Sequence, residues 1–374
     1  YVKRHLEAQI DKYLFKKKII VLYGARQVGK TTLAKTLLKK YSDENSYFNC
    51  EIISTKQALE QSDPVTLKNF LGNGKVIVLD EAQTVTNIGL ILKLLIDIYP
   101  EMQIIATGSS SFDLSNQVNE PLTGRALEFR LYPFALSELM QIHRSEETDA
   151  IMDNMLVYGS YPEVALGDMN SARVYLNNLA SQYLYKDVLA FENLKKPDLL
   201  VKLLQLLALQ ISSEVSIHEL AVSLQCGRDT VIRYMDLLEK SFVIFRLHAF
   251  SRNLRKEISK KQKVYFYDLG VRNSLISRFN GLSVRDDVGA LWENFCVVER
   301  SKWLQANERF VNQYFWRSII NKKEVDYLEE YDERLDGYEF KWKKDNFIVP
   351  KDFLNYPNSS VQLVNRDNYK DILF

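Results

Sequence analysis

An α/β fold is predicted for the first 145 residues, on three observations. Short apolar runs recur at Lys18–Tyr23, Tyr47–Cys50, Val76–Asp80, Gln103–Thr107 and Leu127–Leu131. Helix-length segments such as Thr31–Tyr41 and Asn87–Tyr99 lie between them. A glycine-bearing loop joins the first run to the first helix. The runs are mostly β-branched or aromatic and end in turns or charges, so they read as strands. Strands that alternate with helices build a parallel sheet covered on both faces.

The loop after the first strand reads Gly24-Ala25-Arg26-Gln27-Val28-Gly29-Lys30-Thr31-Thr32. A strand, a loop of this pattern and a helix together make a phosphate-binding P-loop. The glycines let backbone N–H groups converge on phosphate oxygens, and the helix N-terminus adds positive dipole. Lys30 brings a mobile cation to the β- and γ-phosphates, and the Thr31 hydroxyl is a Mg²⁺ ligand. ATP and Mg²⁺ are the expected ligands. The run Val76-Ile77-Val78-Leu79 reads as a strand buried on both faces, and Asp80 and Glu81 sit at its C-terminal end. Open α/β sheets bind ligands at that edge. Asp80 is placed to hold Mg²⁺ through water and Glu81 to polarise an attacking water. The next strand stops at Thr107-Gly108-Ser109-Ser110-Ser111, which reads as a γ-phosphate sensor or as a Ser-rich turn. Arg125 precedes the fifth strand. It is a candidate for reaching a phosphate in its own or a neighbouring subunit, with an ordinary surface arginine as the alternative.

Beyond the first 145 residues the pattern changes. Residues 146–197 read as a helical lid or connector, rich in tyrosine and punctuated by Pro162 and Pro197. Residues 198–285 read as a winged helix. Helices Leu199–Ile211, Ser216–Leu224 and Arg228–Lys240 are followed by strands Phe242–Phe250 and Lys263–Asp268, and the turn Ser212-Ser213-Glu214 ends the first helix. The third helix would present Arg228, Asp229, Thr230 and Arg233. The hairpin carries Arg252, Arg255, Lys256, Lys260, Lys261 and Lys263 against one acid, Glu257. Cations clustered in this way suit the phosphates of DNA, and the alternative is a protein-docking element with a solvated loop.

Residues 286–374 open with a helix at Val288–Trp303 and continue in strands at Gln313–Arg317, Glu324–Glu329 and Gly337–Lys341, an α+β pattern. Asp326 and Glu339 are 13 residues apart, enough for a strand, a turn and a return strand. The period of two sets Glu339 and Lys341 on one face. Asp326 and Glu339 could share a Mg²⁺, with Lys341 orienting water and Glu293 assisting from the helix. The alternative is an edge strand with solvated charges, in which Lys322, Lys323, Lys343 and Lys344 hold a phosphate without chemistry.

Taken together, Gly24-Ala-Arg-Gln-Val-Gly-Lys-Thr-Thr-Leu33, Leu79-Asp-Glu-Ala-Gln83, Thr107-Gly-Ser-Ser110, Leu122-Thr-Gly-Arg125 and Leu131-Tyr-Pro-Phe134 resemble a prokaryotic family of AAA-type ATPases with a C-terminal DUF4143 domain. Tyr158-Gly-Ser-Tyr-Pro-Glu163 and Gly289-Ala-Leu-Trp-Glu-Asn294 extend the resemblance over nearly the whole chain. It implies an ASCE/AAA-type sheet ordered 5-1-4-3-2, a winged helix, and a tail similar to restriction-endonuclease folds. The tail's Asp326…Glu339-Phe-Lys341 looks like the metal site of such nucleases.

Composition sets the remaining bounds. Apolar residues at 46% and charged residues at 26% are those of a chain with real cores. A net charge of +1 leaves attraction to nucleic acid to local patches. Cys50, Cys226 and Cys296 lie far apart, which excludes a zinc site of Cys-x-x-Cys type and fits a reducing, cytoplasmic setting. No secretory signal or membrane span is expected. ATP is the expected partner, and DNA, a protein partner and further copies of the chain are candidates.

Overall fold

The computed structural model describes residues 1–61, 63–108, 122–183, 197–251, 262–318, 323–343 and 347–374. The chain divides into two compact units, one built on Tyr1–Phe134 and the other mainly on residues from Ala135 onward.

The first unit holds strands β1 (Ile19–Tyr23), β2 (Tyr47–Asn49), β3 (Val76–Asp80), β4 (Gln103–Gly108) and β5 (Ala126–Arg130). They form one sheet in the order β2-β3-β4-β1-β5, and every pairing is parallel. Every residue of β1, β3 and β4 is buried, as continuous apolar runs between two helical layers require. Helices α1 (His5–Tyr13), α2 (Lys30–Tyr41), α3 (Ile53–Leu59), α4 (Pro64–Leu71) and α5 (Ile88–Ile98) belong to this unit. In α4, Pro64 occupies the first turn and the Asp63 carboxylate accepts from the Thr66 N–H, a start signal readable in the sequence. Because the strands are parallel, the loops after β1, β3 and β4 all emerge at one edge.

The second unit includes helices α6 (Thr148–Tyr158) and α7 (Met169–Asn178). Three helices follow: α8 (Pro197–Leu209), α9 (Ile217–Ser223) and α10 (Arg228–Lys240). Between α8 and α9 lies a two-residue strand, β6 (Glu214–Val215), so Glu214 belongs to a strand and not to a turn. Strands β7 (Ile244–Ala249) and β8 (Gln262–Phe266) form an antiparallel pair, and β6 adds to β8. Arg246 on β7 ties α10 to the pair, with Nη2 2.7 Å from Asp236 and Nε 2.8 Å from Glu239. After α11 (Leu269–Leu275) and α12 (Val288–Ala306) come β9 (Asn312–Arg317), β10 (Glu324–Tyr331), β11 (Arg334–Phe340) and β12 (Ser359–Val364).

These seven strands form one sheet, in the order β12-β11-β10-β9-β7-β8-β6. Residues 198–285 and 286–374, read separately from the sequence, therefore share a sheet, joined where β7 pairs parallel with β9. The β9–β10 register shifts between Val325 and Leu328. Two residues of β10, Asp326 and Tyr327, then fall where one residue of β9 stands, a β-bulge. It lets Val325 and Leu328, three apart, join one apolar cluster with Trp316 and Phe353. Among the described residues no helix is long and apolar enough to cross a membrane.

Candidate functional site

Lys30, Thr31, Asp80, Glu81 and Thr107 meet at the C-terminal edge of the first sheet. The loop after β1 turns with Gln27 at φ 61° and Gly29 at φ 98°, the left-handed region that favours glycine at the second position. Gly24 is required for a different reason. A Cβ there would lie 2.4 Å from the Leu131 carbonyl oxygen. Lys30 is 4% exposed, and its Nζ donates to the carbonyls of Gly24 (3.1 Å) and Ala25 (3.0 Å), so the ammonium curls back over the loop. Gln27 and Thr32 are exposed on the loop and the first turn of α2, and Val28 is buried.

The Asp80 carboxylate collects three hydroxyls. Thr31 Oγ1 donates to Oδ2 at 2.8 Å, Tyr47 OH donates to the same oxygen at 2.6 Å, and Thr107 Oγ1 donates to Oδ1. Burial and then the bond to Asp80 push the Tyr47 phenol above its usual range. Burial pushes the nearby Cys50 thiol up to about 12, so Cys50 is a neutral core residue. Glu81 leaves the strand at φ 53°, its N–H donates to Thr107 Oγ1 at 3.1 Å, and its Oε2 accepts from Gln83 Nε2 at 2.6 Å. For a non-glycine residue that backbone is uncommon.

A hydroxyl that already faces a carboxylate across a lysine-lined loop is the donor set that ATP–Mg²⁺ requires. The residues present fit that ligand: Lys30 and the loop N–H groups for the phosphates, Thr31 and Asp80 for the ion. Thr107 stands between Asp80 and Glu81, donating to the Asp80 carboxylate and accepting from the Glu81 N–H. Ser109, Ser110 and Ser111 lie outside the described residues.

Sequence reasoning missed two contributors. Tyr47 comes from β2, whose neighbour in the sheet is β3. Arg4 comes from the segment before α1. It is 5% exposed, its Nη1 donates to the Val28 carbonyl at 3.0 Å, its Nη2 donates to the Tyr132 carbonyl, and its guanidinium lies 4.6 Å from the Phe134 ring centre. Arg4 thus clamps the phosphate loop to the segment after β5.

Arg125 is not in this group. β5 runs parallel to β1 with Ala126 beside Ile19 and Arg130 beside Tyr23. The residue before β5 therefore lies at the opposite edge, roughly 13 Å or more from the phosphate loop at about 3.3 Å per residue. Arg125 Nε is bonded to Asp97 at 2.7 Å on the surface. Its own phosphate site is out of reach, and only a neighbouring subunit could use it. Arg125→Ala is expected to leave the ATP turnover of the isolated protomer near the parental rate, measured at low protein concentration. A loss of turnover that appears only as protein concentration rises would instead show action across a subunit boundary.

A second cluster of charges lies in the other unit. Lys263, read from sequence as a cation of the basic hairpin, is 2% exposed and lies inside the protein. Its Nζ is 2.9 Å from Glu293 Oε1 and 3.5 Å from both Glu324 Oε1 and Asp326 Oδ1. The reason is the strand alternation of β8, which sets Lys263 and Tyr265 on the same face, toward α12. Tyr265 OH also donates to Glu293 Oε1, at 2.8 Å. Burial alone would lower the lysine, but Glu293, Asp326 and Glu324 outweigh it and hold it charged. The other named cations of the hairpin, Arg252, Arg255, Lys256, Lys260 and Lys261, lie outside the described residues, as do Lys322 and Lys344.

Asp326, Glu339 and Lys341 come together as the sequence alternation implies. Lys341 Nζ is 2.8 Å from Glu339 Oε1. Asp326 Oδ2 accepts from the Phe340 N–H at 3.0 Å. Burial and then the Asp326 charge push Glu339 up to about 7, and the same two causes push Glu293 up to about 8. The Mg²⁺ expected between Asp326 and Glu339 does not fit this arrangement. Lysines already engage the carboxylates, and among the described residues no group of three or more His, Cys, Asp or Glu side chains is set to hold a metal ion.

The class of protein follows from the first site, a P-loop nucleotide-binding module on a parallel sheet. Residues 16–140 match the family model of an AAA domain. Residues 149–282 match a domain of unknown function, DUF8612, and residues 288–357 match a domain of unknown function, DUF4143. These matches place an AAA domain toward the N-terminus of the chain and a DUF4143 domain toward its C-terminus. Among curated proteins it is similar to the uncharacterized protein MJ1637 of Methanocaldococcus jannaschii, at 27% identity over 77% of this chain and 69% of that protein. It is also similar to the uncharacterized protein Rv2008c of Mycobacterium tuberculosis, at 26% identity over 91% of this chain and 74% of that protein. Among solved structures, AMPPCP-bound DnaA from Aquifex aeolicus aligns at 15% identity with a TM-score of 0.28, over 63% of this chain and 86% of that one. Likeness at that level supports nothing about what this chain binds.

Proposed function

We propose that the chain is a Mg²⁺-dependent ATPase whose nucleotide state is coupled to a winged-helix module and a restriction-endonuclease-like tail. The observation that carries the reading is the Asp80 carboxylate, held by the hydroxyls of Thr31 and Thr107 beside Lys30 and Glu81. Loop N–H groups and Lys30 bind and orient the phosphates. When bound, Mg²⁺ neutralises charge that develops on the transferred phosphoryl group. Glu81, directed by Gln83, takes the proton of the attacking water. Thr107, which donates to the Asp80 carboxylate and accepts from the Glu81 backbone N–H, links the ion side of the site to the water side.

The proposed target of the coupling is DNA. Helices α8, α9 and α10 with the β7–β8 pair have the order of a winged helix. On α10, Arg228, Asp229 and Arg233 are exposed while Val231, Tyr234 and Met235 are buried, so the face read as the recognition face is turned outward. In this reading the tail engages nucleic acid at the cluster of Asp326, Glu339 and Lys341, with Glu293 beside it, and no Mg²⁺ between the carboxylates takes part. A second reading is favoured by the buried position of Lys263 among the carboxylates. In it the chain is a nucleotide-dependent switch that docks a protein partner, and the tail binds without cleaving.

The deciding measurement is the ATPase rate with and without duplex and single-stranded DNA across a range of salt. The DNA reading expects stimulation at low ionic strength that fades as salt rises. Replacing Arg228 and Arg233 with alanine should then flatten the logarithmic salt dependence of duplex binding by about 0.9 for each phosphate that is no longer neutralised. A turnover rate indifferent to DNA, with no salt-dependent binding, supports the protein-docking switch.

A further inference from the structure

We propose that Lys263 is the built-in counter-ion of the tail's carboxylate cluster and holds the place that a divalent cation would need. The site then keeps its charge balance without a metal.

Three acids from two elements face one ammonium. Glu293 is carried by α12, and Glu324 and Asp326 are carried by β10, two residues apart and so on the same side of the strand. Lys263 Nζ is 2.9 Å from the first and 3.5 Å from each of the others, and it is 2% exposed. An ammonium is a compact charge with three donors, a fair match to three carboxylate oxygens. The Phe315 ring centre lies 5.6 Å from Nζ and adds an aromatic face to the same pocket.

The oxygens that a metal would use are already committed. Asp326 offers Oδ1 to Lys263 and Oδ2 to the Phe340 N–H. Glu293 Oε1 is shared by Lys263 and the Tyr265 hydroxyl. Glu339 Oε1 is held by Lys341. Glu339 Oε2 is buried without a hydrogen-bond partner. A hard divalent cation gathers roughly six oxygens, and these commitments leave the cluster too few. The strands carrying the lysine and the acids are held in one sheet through β7 and β9, so the lysine is placed by the fold and not by a mobile loop.

The test uses the full chain, free of nucleotide, titrated with Mn²⁺ and followed by electron paramagnetic resonance and by melting temperature. The parent is expected to show no Mn²⁺ site that Asp326→Asn removes. Lys263→Gln takes away the cation and leaves its acids. It is expected to gain a Mn²⁺ site at least ten-fold tighter than any in the parent, abolished again when Asp326→Asn is added, and to melt higher with Mn²⁺ than without. Lys263→Gln/Glu324→Gln removes one acid with the cation. It is expected to fold even where the single variant does not, and to gain the same site. A parent that already binds Mn²⁺ through Asp326 overturns the proposal. So does a folded single or double variant that gains no Mn²⁺ binding, because the lysine is then not what excludes the ion. The outcome is independent of ATP chemistry in the other unit, since no nucleotide is present.

Discussion

Lys30→Ala is expected to weaken ATP binding by about 10²–10⁴-fold. The estimate follows from two charge-assisted hydrogen bonds to phosphate oxygens at about 1.5–3 kcal/mol each. The Lys30 ammonium now caps the carbonyls of Gly24 and Ala25. Moving it to phosphate exchanges two neutral acceptors for charged ones, and that difference favours the bound state. In the alanine variant the two carbonyls lose their donor, so a small fall in stability accompanies the loss of affinity, about 1–3 kcal/mol if no water replaces the ammonium. The two effects separate cleanly. Equilibrium titration with a fluorescent ATP analogue reads the first, and urea unfolding without nucleotide reads the second. A variant that unfolds like the parent and still binds ATP with parental affinity would falsify the assignment of the phosphate loop.

The nucleotide site was largely legible in the sequence because its parts are contiguous. A buried strand, a glycine turn and a helix follow one another within Ile19–Tyr41, and Asp80-Glu81 follows directly on a run of four apolar residues. Such signals need no tertiary information. Arg125 shows the limit of that kind of reading. The motif around it is local, but which edge of the sheet it occupies depends on strand direction, and a parallel β5 carries it to the far end. Tyr47 and Arg4 were missed because the sheet order and a chain crossing bring them to the site from other segments. The helices α3 and α4 have only 7 and 8 residues, too short for a clear period of 3.6, although Asp63-Pro64 was a readable start signal.

Lys263 was misread for a different reason. Lys260 and Lys261 precede it, so counting charges placed it in a solvated run. The discriminating signal was the alternation Lys263–Tyr265 next to buried Val264 and Phe266, which marks a strand buried on both faces. The shared seven-stranded sheet had no local signature at all. The parallel pairing of β7 with β9 joins His248 to Tyr314 and Ala249 to Phe315 across more than sixty residues of chain.

Glu81→Gln is expected to keep ATP binding near the parental value and to lower turnover by about 10²–10⁴-fold, the usual contribution of a positioned general base. The amide is close in shape to the carboxylate, so the substitution tests chemistry and not packing. Lys30, Thr31 and Asp80, which hold the phosphates and the ion, are untouched. The backbone at position 81 is fixed by its N–H bond to Thr107 and by the Thr84 hydroxyl, which donates to the Glu81 carbonyl at 2.9 Å. Glutamine can adopt the same left-handed backbone. What it cannot do is accept a proton from water at neutral pH. Gln83 supplies an internal control. Its amide donates to Glu81 Oε2 at 2.6 Å and so orients the carboxylate without being the base. Gln83→Ala should therefore cost less turnover than Glu81→Gln, and it should not change nucleotide affinity. Steady-state turnover and nucleotide titration on the three proteins check both expectations together. If Glu81→Gln hydrolyses ATP at the parental rate, the water is activated elsewhere. If it also loses ATP binding, the residue supports the site's structure and the left-handed turn after β3 is its main contribution.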